Sequence, residues 1–187
     1  MIPAVFGKPY RSSSGLLIRP GASFSASGLH RYALTREWVF PGDLTRWVCF
    51  IGLNPSTADA FEDDPTIRRE LGFAQALGAN ALVKVNLASY RATDPKELLR
   101  FARAFGVEAA RGPENDEHIR QAVAWSRSAL GKGVFAAWGA VPSTFEPDEA
   151  FLARLGKPLM CLGTTKSGAP RHPLYLSKAA MPMEWRA

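Results

Sequence analysis

Trp47-Val48-Cys49-Phe50-Ile51-Gly52-Leu53-Asn54-Pro55-Ser56-Thr57-Ala58-Asp59 decides the fold of this chain. An apolar run of strand length breaks off in Gly-x-Asn-Pro-Ser-Thr, so a buried strand delivers a polar amide directly into a tight turn. Ligands of open parallel sheets bind outside the carboxyl ends of the strands, where the strand order reverses. Asn54 falls at such an end. The same residues also fit an Asx-turn in which Asn54 and Ser56 only close their own backbone, and this stretch alone leaves both readings open.

Working backwards, Arg31 to Trp38 alternates as a half-exposed strand with Tyr32 and Leu34 on one face. Pro41-Gly42-Asp43 then turns it, which predicts an antiparallel hairpin into the Trp47 to Ile51 strand. Residues 1–29 are rich in Gly, Ser and Pro without a sustained period. They read as an irregular arm, with Leu16-Leu17-Ile18 a candidate edge strand, ahead of one α/β domain over 30–187.

Working forwards, Asp64-Pro65 is a helix start, an acceptor at the cap and proline at the first helical position. The helix is predicted to run to Leu77 and stop at Gly78, with Ile67, Leu71, Ala74 and Leu77 facing the sheet. Asp59, Glu62, Asp63 and Asp64 admit a magnesium cluster or a cap with solvated acids, and the second reading is favoured because hard-cation sites need convergent oxygens. Ala81 to Leu87 is a second buried strand, ending at Asn86 and leading into Tyr90 and Arg91. Asp94-Pro95 opens a helix to Phe105. Gly112-Pro113-Glu114-Asn115-Asp116 opens another, with Ile119, Val123 and Leu130 inward and His118 solvated or capped on its side. Val134 to Gly139 and Leu159 to Leu162 supply two more strands, joined by a short helix over 148–155. Helix-bearing connections between four buried strands predict parallel βαβ units and a three-layer domain around a four-stranded parallel sheet, with antiparallel N-terminal additions.

Composition narrows the class. In 187 residues, 47% hydrophobic, Lys and Arg number 23 against 17 Asp and Glu, a formal charge of +6 that favours a polyanionic partner. Cys49 and Cys161 both lie in apolar runs and read as reduced core thiols of a cytoplasmic protein. Two cysteines are too few for an iron–sulfur cluster or a cysteine-rich zinc site, and no cofactor is expected. No apolar run reaches membrane-spanning length, and no signal-peptide pattern opens the chain. A soluble monomer is expected.

Parallel strands end along one edge, so Asn54, Asn86 to Arg91, Trp138-Gly139 and Lys166 to His172 are predicted to surround one cleft. An Asn amide donates and accepts, which suits the edge of a nucleobase. Arg91, Lys166 and Arg171 suit phosphates, and Tyr90, Trp138 and Tyr175 offer faces for stacking. The loop Thr164-Thr165-Lys166-Ser167-Gly168 lacks the spacing of a nucleoside-triphosphate cradle.

Gly52-Leu53-Asn54-Pro55-Ser56-Thr57-Ala58-Asp59, Asp64-Pro65-Thr66-Ile67-Arg68-Arg69, Val85 to Pro95, Gly112 to Asp116, Ala137-Trp138-Gly139 and Gly168 to Leu176 together resemble a bacterial family known as domain of unknown function 1643, over 32–176. More distantly, the ordered series Gly-x-Asn-Pro, Asn-Leu-x-x-x-Arg, Trp-Gly and His-Pro-x-x-Leu is similar to the uracil-DNA glycosylase superfamily. That resemblance implies a four-stranded parallel sheet flanked by helices and a hydrolase of N-glycosidic bonds acting in DNA repair. It implies that Asn54 positions the attacking water, Asn86 reads the flipped base, and His172 stabilises the departing base. By the same resemblance Leu174 or Leu176 enters the minor groove, and the aromatic after the first turn falls to Phe61. Base contacts are thus expected from Asn86, Tyr90, Phe61 and Trp138, and nucleic-acid contacts from Ser56, Thr57, Arg91, Lys166, Arg171, Leu174 and Tyr175. The partner is nucleic acid, DNA rather than RNA, or a nucleotide. The alternative is a binding module on the same fold without chemistry.

Overall fold

The computed structural model describes residues 5–12, 15–56, 58–59 and 62–186. Its centre is the quoted stretch. The strand Trp47–Gly52, here β5, is buried from Val48 onward, because helices cover both faces of the sheet around it. Its side chains alternate. Val48 and Phe50 join Ile67, Leu71 and Ala74 of helix α1 (Pro65–Ala76), while Cys49 and Ile51 join Ile119, Ala122 and Val123 of α4 (Asn115–Ser126).

Strands β6 (Ala81–Asn86), β7 (Val134–Ala136) and β8 (Met160–Cys161) complete the parallel part, in the order β6-β5-β7-β8. This is not the whole sheet, and the predicted four-stranded parallel sheet is corrected. Among the described residues nine strands form one mixed α/β sheet, adding β1 (Val5–Phe6), β2 (Tyr10–Arg11), β3 (Leu17–Phe24), β4 (Arg31–Glu37) and β9 (Met183–Glu184). The added pairings, β1·β3, β2·β3, β3·β4, β4·β6 and β8·β9, are antiparallel and outnumber the three parallel ones. The physical reason is the edges. Alone, the parallel strands would leave the outer N–H and C=O groups of β6 and β8 unpaired, and β4 and β9 take them up.

Four local expectations change with this topology. Arg31–Glu37 does not form a hairpin with β5; it pairs with β6, with Leu34 opposite Lys84. Leu17-Ile18 begins an eight-residue strand that is flanked rather than terminal, since β1 and β2 pair with it on the side away from β4. His118 is not solvated: it is 4% exposed, stacked on Tyr32 at 4.8 Å and hydrogen-bonded to Ser23 Oγ at 3.0 Å. The predicted inward Leu130 lies beyond α4 and is exposed, because that helix ends at Ser126.

The helix starts follow the cap rule. Asp64 accepts the Ile67 amide at 2.8 Å, with Pro65 at the first position. Asp94 caps α2 (Pro95–Phe105) and Asp148 caps α5 (Glu149–Leu155) in the same way. The short α3 (Val107–Arg111) follows directly on α2, the chain turning at Gly106 with φ of 94°. None of the helices in the described residues is long and apolar enough to cross a membrane.

Candidate functional site

A cleft of about 890 Å³ opens at the carboxyl ends of β5, β6 and β7. Its walls include Asn54, Ser56, Asn86, Trp138, Arg171, His172, Leu174 and Tyr175 from the expected set, brought together by the parallel strands. The remaining expected residues lie elsewhere. Thr57 and Phe61 fall outside the described residues. Lys166 is exposed on the loop after β8 and is not part of the cleft wall. Tyr90 lies outside the cleft wall: its ring stacks on Phe101, 3.8 Å between centroids, in a separate apolar cluster, and it lines a neighbouring hollow. Arg91 belongs to a neighbouring hollow, where it donates to the Gly28 carbonyl and its guanidinium lies over Phe24. Sequence spacing placed both beside Asn86, but the chain turns away at Ser89, whose amide and that of Tyr90 donate to the Arg111 and Ala110 carbonyls at the end of α3.

Asn54 does two things at once. Its Nδ2 donates to the Ala92 carbonyl at 2.6 Å and to the Pro55 carbonyl at 3.1 Å, tying the loop after β5 to the loop after β6. The Ala92 amide returns a bond to the Pro55 carbonyl at 3.0 Å. Both readings of the turn thus have an atom each: the amide nitrogen is structural, and Oδ1, in a residue that lines the cleft, accepts no bond from the described residues.

Asn86 lies deepest. It is fully buried, lines the cleft, and neither end of its side-chain amide has a partner among the described residues. Such a group costs free energy unless something pairs with it, so a buried amide facing a cleft calls for a partner such as a water, an ion or a ligand. Its backbone is pinned: Asn115 Nδ2 donates to the Asn86 carbonyl at 2.9 Å, and the Leu87 amide donates to the Gly52 carbonyl at 2.9 Å.

His172 caps the short turn Pro173–Tyr175, its Nδ1 accepting the Leu174 amide at 3.3 Å. A backbone N–H can only donate, so in the neutral ring the proton sits on Nε2. Burial, and then the nearby Lys84 ammonium, push the His172 pKa down to about 4. The ring is therefore neutral at pH 7 and a hydrogen-bond donor through Nε2. A consequence is testable. Protons bind the unfolded ring below its ordinary pKa of 6.5 but the folded ring only near 4, so His172's contribution to stability falls as pH drops through that window. Ligand binding that uses neutral His172 is expected to hold down to about pH 4, with His172→Gln removing that acid limb from a binding-versus-pH curve.

Several wall residues were not among those expected in the cleft. Lys84 and Arg31 are almost wholly buried and line the cleft, and Gly52 and Asp64 line it too. Lys84 Nζ pairs with Glu70 Oε1 of α1 at 2.5 Å. Arg31 donates to the Ala58 carbonyl, and burial pulls its pKa down to about 10. The signal existed: Lys84 stands two residues before Asn86 in an apolar strand, hence on its face, and Glu70 falls on the inward stripe of α1. At Gly52 a Cβ would meet Asn86 Oδ1 at 2.8 Å and Lys84 Nζ at 2.9 Å. The glycine that opens the turn is what lets those two side chains cross over β5.

Other chemistries find less. Asp63 is taken by Arg36 at 2.7 Å and by the Tyr10 hydroxyl, and Asp64 by its cap bond. Among the described residues no three His, Cys, Asp or Glu side chains gather as metal ligands. Burial raises the Cys161 thiol and pushes Cys49 up to about 12, which makes both poor nucleophiles.

No curated protein matches the chain. A family model described as "Protein of unknown function (DUF1643)" matches residues 31–174, a span that runs from the first strand beside β6 to the loop carrying His172 and so contains the principal polar groups of the cleft. The chain belongs to that family of proteins of unknown function, DUF1643.

Proposed function

We propose that the cleft receives a nucleobase swung out of a nucleic-acid strand and assists hydrolysis of its N-glycosidic bond. The observation that carries this reading is Asn86: a fully buried amide with an unpaired donor and an unpaired acceptor at the cleft floor. A planar heterocycle with adjacent N–H and C=O groups satisfies both at once. Trp138, 4% exposed in the wall, supplies an apolar flank. Tyr175 and Leu174, exposed at the rim, suit the strand from which the base is drawn, and Arg171 beside them suits its phosphates.

Bond cleavage leaves negative charge on the base and positive charge on the sugar. His172 Nε2–H is a neutral donor for the first, and Asn54 Oδ1 orients a water for attack. The order of motifs similar to the uracil-DNA glycosylase superfamily supports the same assignment. The overall charge of +6 supports a nucleic-acid partner, and the same resemblance favours DNA rather than RNA.

A second reading has its own observation. Because the Asn54 amide nitrogen is spent on the Ala92 carbonyl at 2.6 Å, and a neutral amide is a weak base, the cleft also suits binding of a base or nucleotide without cleavage. One panel separates the two. Single- and double-stranded DNA and RNA carrying uracil, hypoxanthine, xanthine or oxidised bases are incubated with protein, and abasic product is revealed by alkaline scission. The first reading expects product that falls at least about hundredfold in Asn54→Ala, with affinity within about threefold. Asn54→Ala also loosens the turn by about 1 kcal/mol, read by thermal melting. Salt-sensitive binding without product supports the second reading, and no binding removes both.

A further inference from the structure

Two opposite charges lie under the cleft, and the chemistry proposed above uses neither. Lys84 is 4% exposed and lines the cleft, and its Nζ lies 2.5 Å from Glu70 Oε1. Glu70 is fully buried, with Oε2 unpaired among the described residues. As a device for holding α1 on β6, such a pair is a poor choice, since desolvating two ions consumes most of what their attraction returns and apolar side chains would serve as well.

Its position suggests another use. Lys84 and Asn86 share one face of β6, opposite Phe50 and Gly52 of β5 in the parallel register. Both cross the place where Gly52 lacks a side chain, with Nζ 2.9 Å and Asn86 Oδ1 2.8 Å from the position a Cβ would take. The ammonium and the unpaired amide therefore share one corner of the cleft. Around Lys84 stand Glu70 and Asp64 of α1 and its cap, Arg31 of β4, and His172 of the loop after β8. Its charge reaches His172, where it is the second cause, after burial, of the lowered pKa.

We infer that Lys84, held by Glu70, is the charged contact of this subsite, and that the cleft binds its heterocycle as the ring anion in preference to the neutral ring. The inference rests on the reading of the cleft as a nucleobase site. A deprotonated ring presents only acceptors along the edge that lost its proton. The Asn86 amide, with its donor and its acceptor, meets the C=O and N–H that the ring keeps, while Lys84 Nζ and His172 Nε2–H give the ionised edge donors alone, and hydrogen bonds with an ionised partner are about twice as strong as neutral ones. During cleavage the same contact follows the charge. The bond between the ring nitrogen and C1′ breaks with its electron pair leaving on the ring, and the water oxygen bonds to C1′. The proton that water loses ends on the departed ring, so Lys84 finishes in the protonation state in which it began.

The test compares free rings that differ in N–H acidity: 5-nitrouracil against uracil, and xanthine against hypoxanthine, titrated calorimetrically between about pH 5 and pH 8. In this range His172 is already neutral. The wild-type protein is expected to bind the more acidic member of at least one pair about tenfold more tightly once its N–H has ionised, while affinity for the less acidic member stays flat. In Lys84→Met/Glu70→Met, which removes both charges together, the rise is expected to vanish, so that the more acidic ring binds no better above its ionisation than below it. Should that variant not fold, Lys84→Gln/Glu70→Gln keeps a hydrogen-bonded pair without charge and carries the same expectation. Ring binding with no rise, or a rise that survives in the uncharged variant, overturns the inference alone. No binding of any ring by the wild-type protein overturns the nucleobase reading, and the inference with it.

Discussion

Gly52→Ala, one added methyl group, is expected to reduce affinity for a base-bearing oligonucleotide about hundredfold while the protein stays folded. The cause is local. The new Cβ would sit 2.8 Å from Asn86 Oδ1, 2.9 Å from Lys84 Nζ and 3.0 Å from Lys84 Cε, closer than such contacts allow. The backbone at Gly52 is ordinary strand, paired to Asn86 in the parallel ladder, so alanine's own conformation is not strained. What moves is the pair of side chains that form the floor of the cleft. Overpacking of this kind costs about 1–3 kcal/mol of stability. The ligand loses more, because both amide atoms of Asn86 leave their positions. A binding titration beside a thermal melt checks the prediction, and a variant that melts far lower yet binds normally would contradict it.

The second large effect concerns the buried pair itself. Glu70→Leu leaves the Lys84 ammonium without its partner at 2.5 Å, a change expected to cost about 3–5 kcal/mol. For a chain of this size that is a fall of roughly 10 °C in Tm. Lys84→Met is expected to cost less, because a buried carboxylic acid can take up a proton. Burial already raises the pKa of Glu70. With its cation removed, that pKa rises further above the unfolded value, so the folded state binds the extra proton. The cost of Lys84→Met is then greatest at alkaline pH and shrinks as pH falls toward the carboxylic range. Lys84→Met/Glu70→Met removes both ions and is expected to melt close to the wild-type protein. Melts of the three variants at two pH values check the set. A double variant that melts well below the wild-type protein would show that the pair stabilises the fold in its own right, and losses that simply add would show that the two charges are not coupled.

Local signals along the chain were strong where they are short-range. Asp64-Pro65, Asp94-Pro95 and Asp148 place three helix starts by a hydrogen bond that spans three residues or fewer, and the structure has those bonds. The apolar runs ending at Gly52 and Asn86 mark strands buried on both faces, and these do lie side by side in parallel with those two residues in register. From that much, the gathering of Asn54, Asn86, Trp138 and His172 at one edge follows by topology alone.

What the chain could not announce depends on partners far away in sequence. Arg31–Glu37 alternates as a strand, but whether it pairs with β5 or β6 is decided by which edge lies open once the βαβ units have packed. Tyr90 and Arg91 follow Asn86 closely, yet Phe101, Phe24 and the Gly28 carbonyl draw them out of the cleft, contacts no spacing rule anticipates. Lys84 and Glu70 are 14 positions apart and each looks like an isolated charge in an apolar stripe. The sequence by itself determined the strand ends and the residue types that stand there, because these rest on local backbone chemistry and side-chain periodicity. The tertiary structure alone decided which charges meet and which amide is left unpaired, because pairing and burial are properties of distance in space.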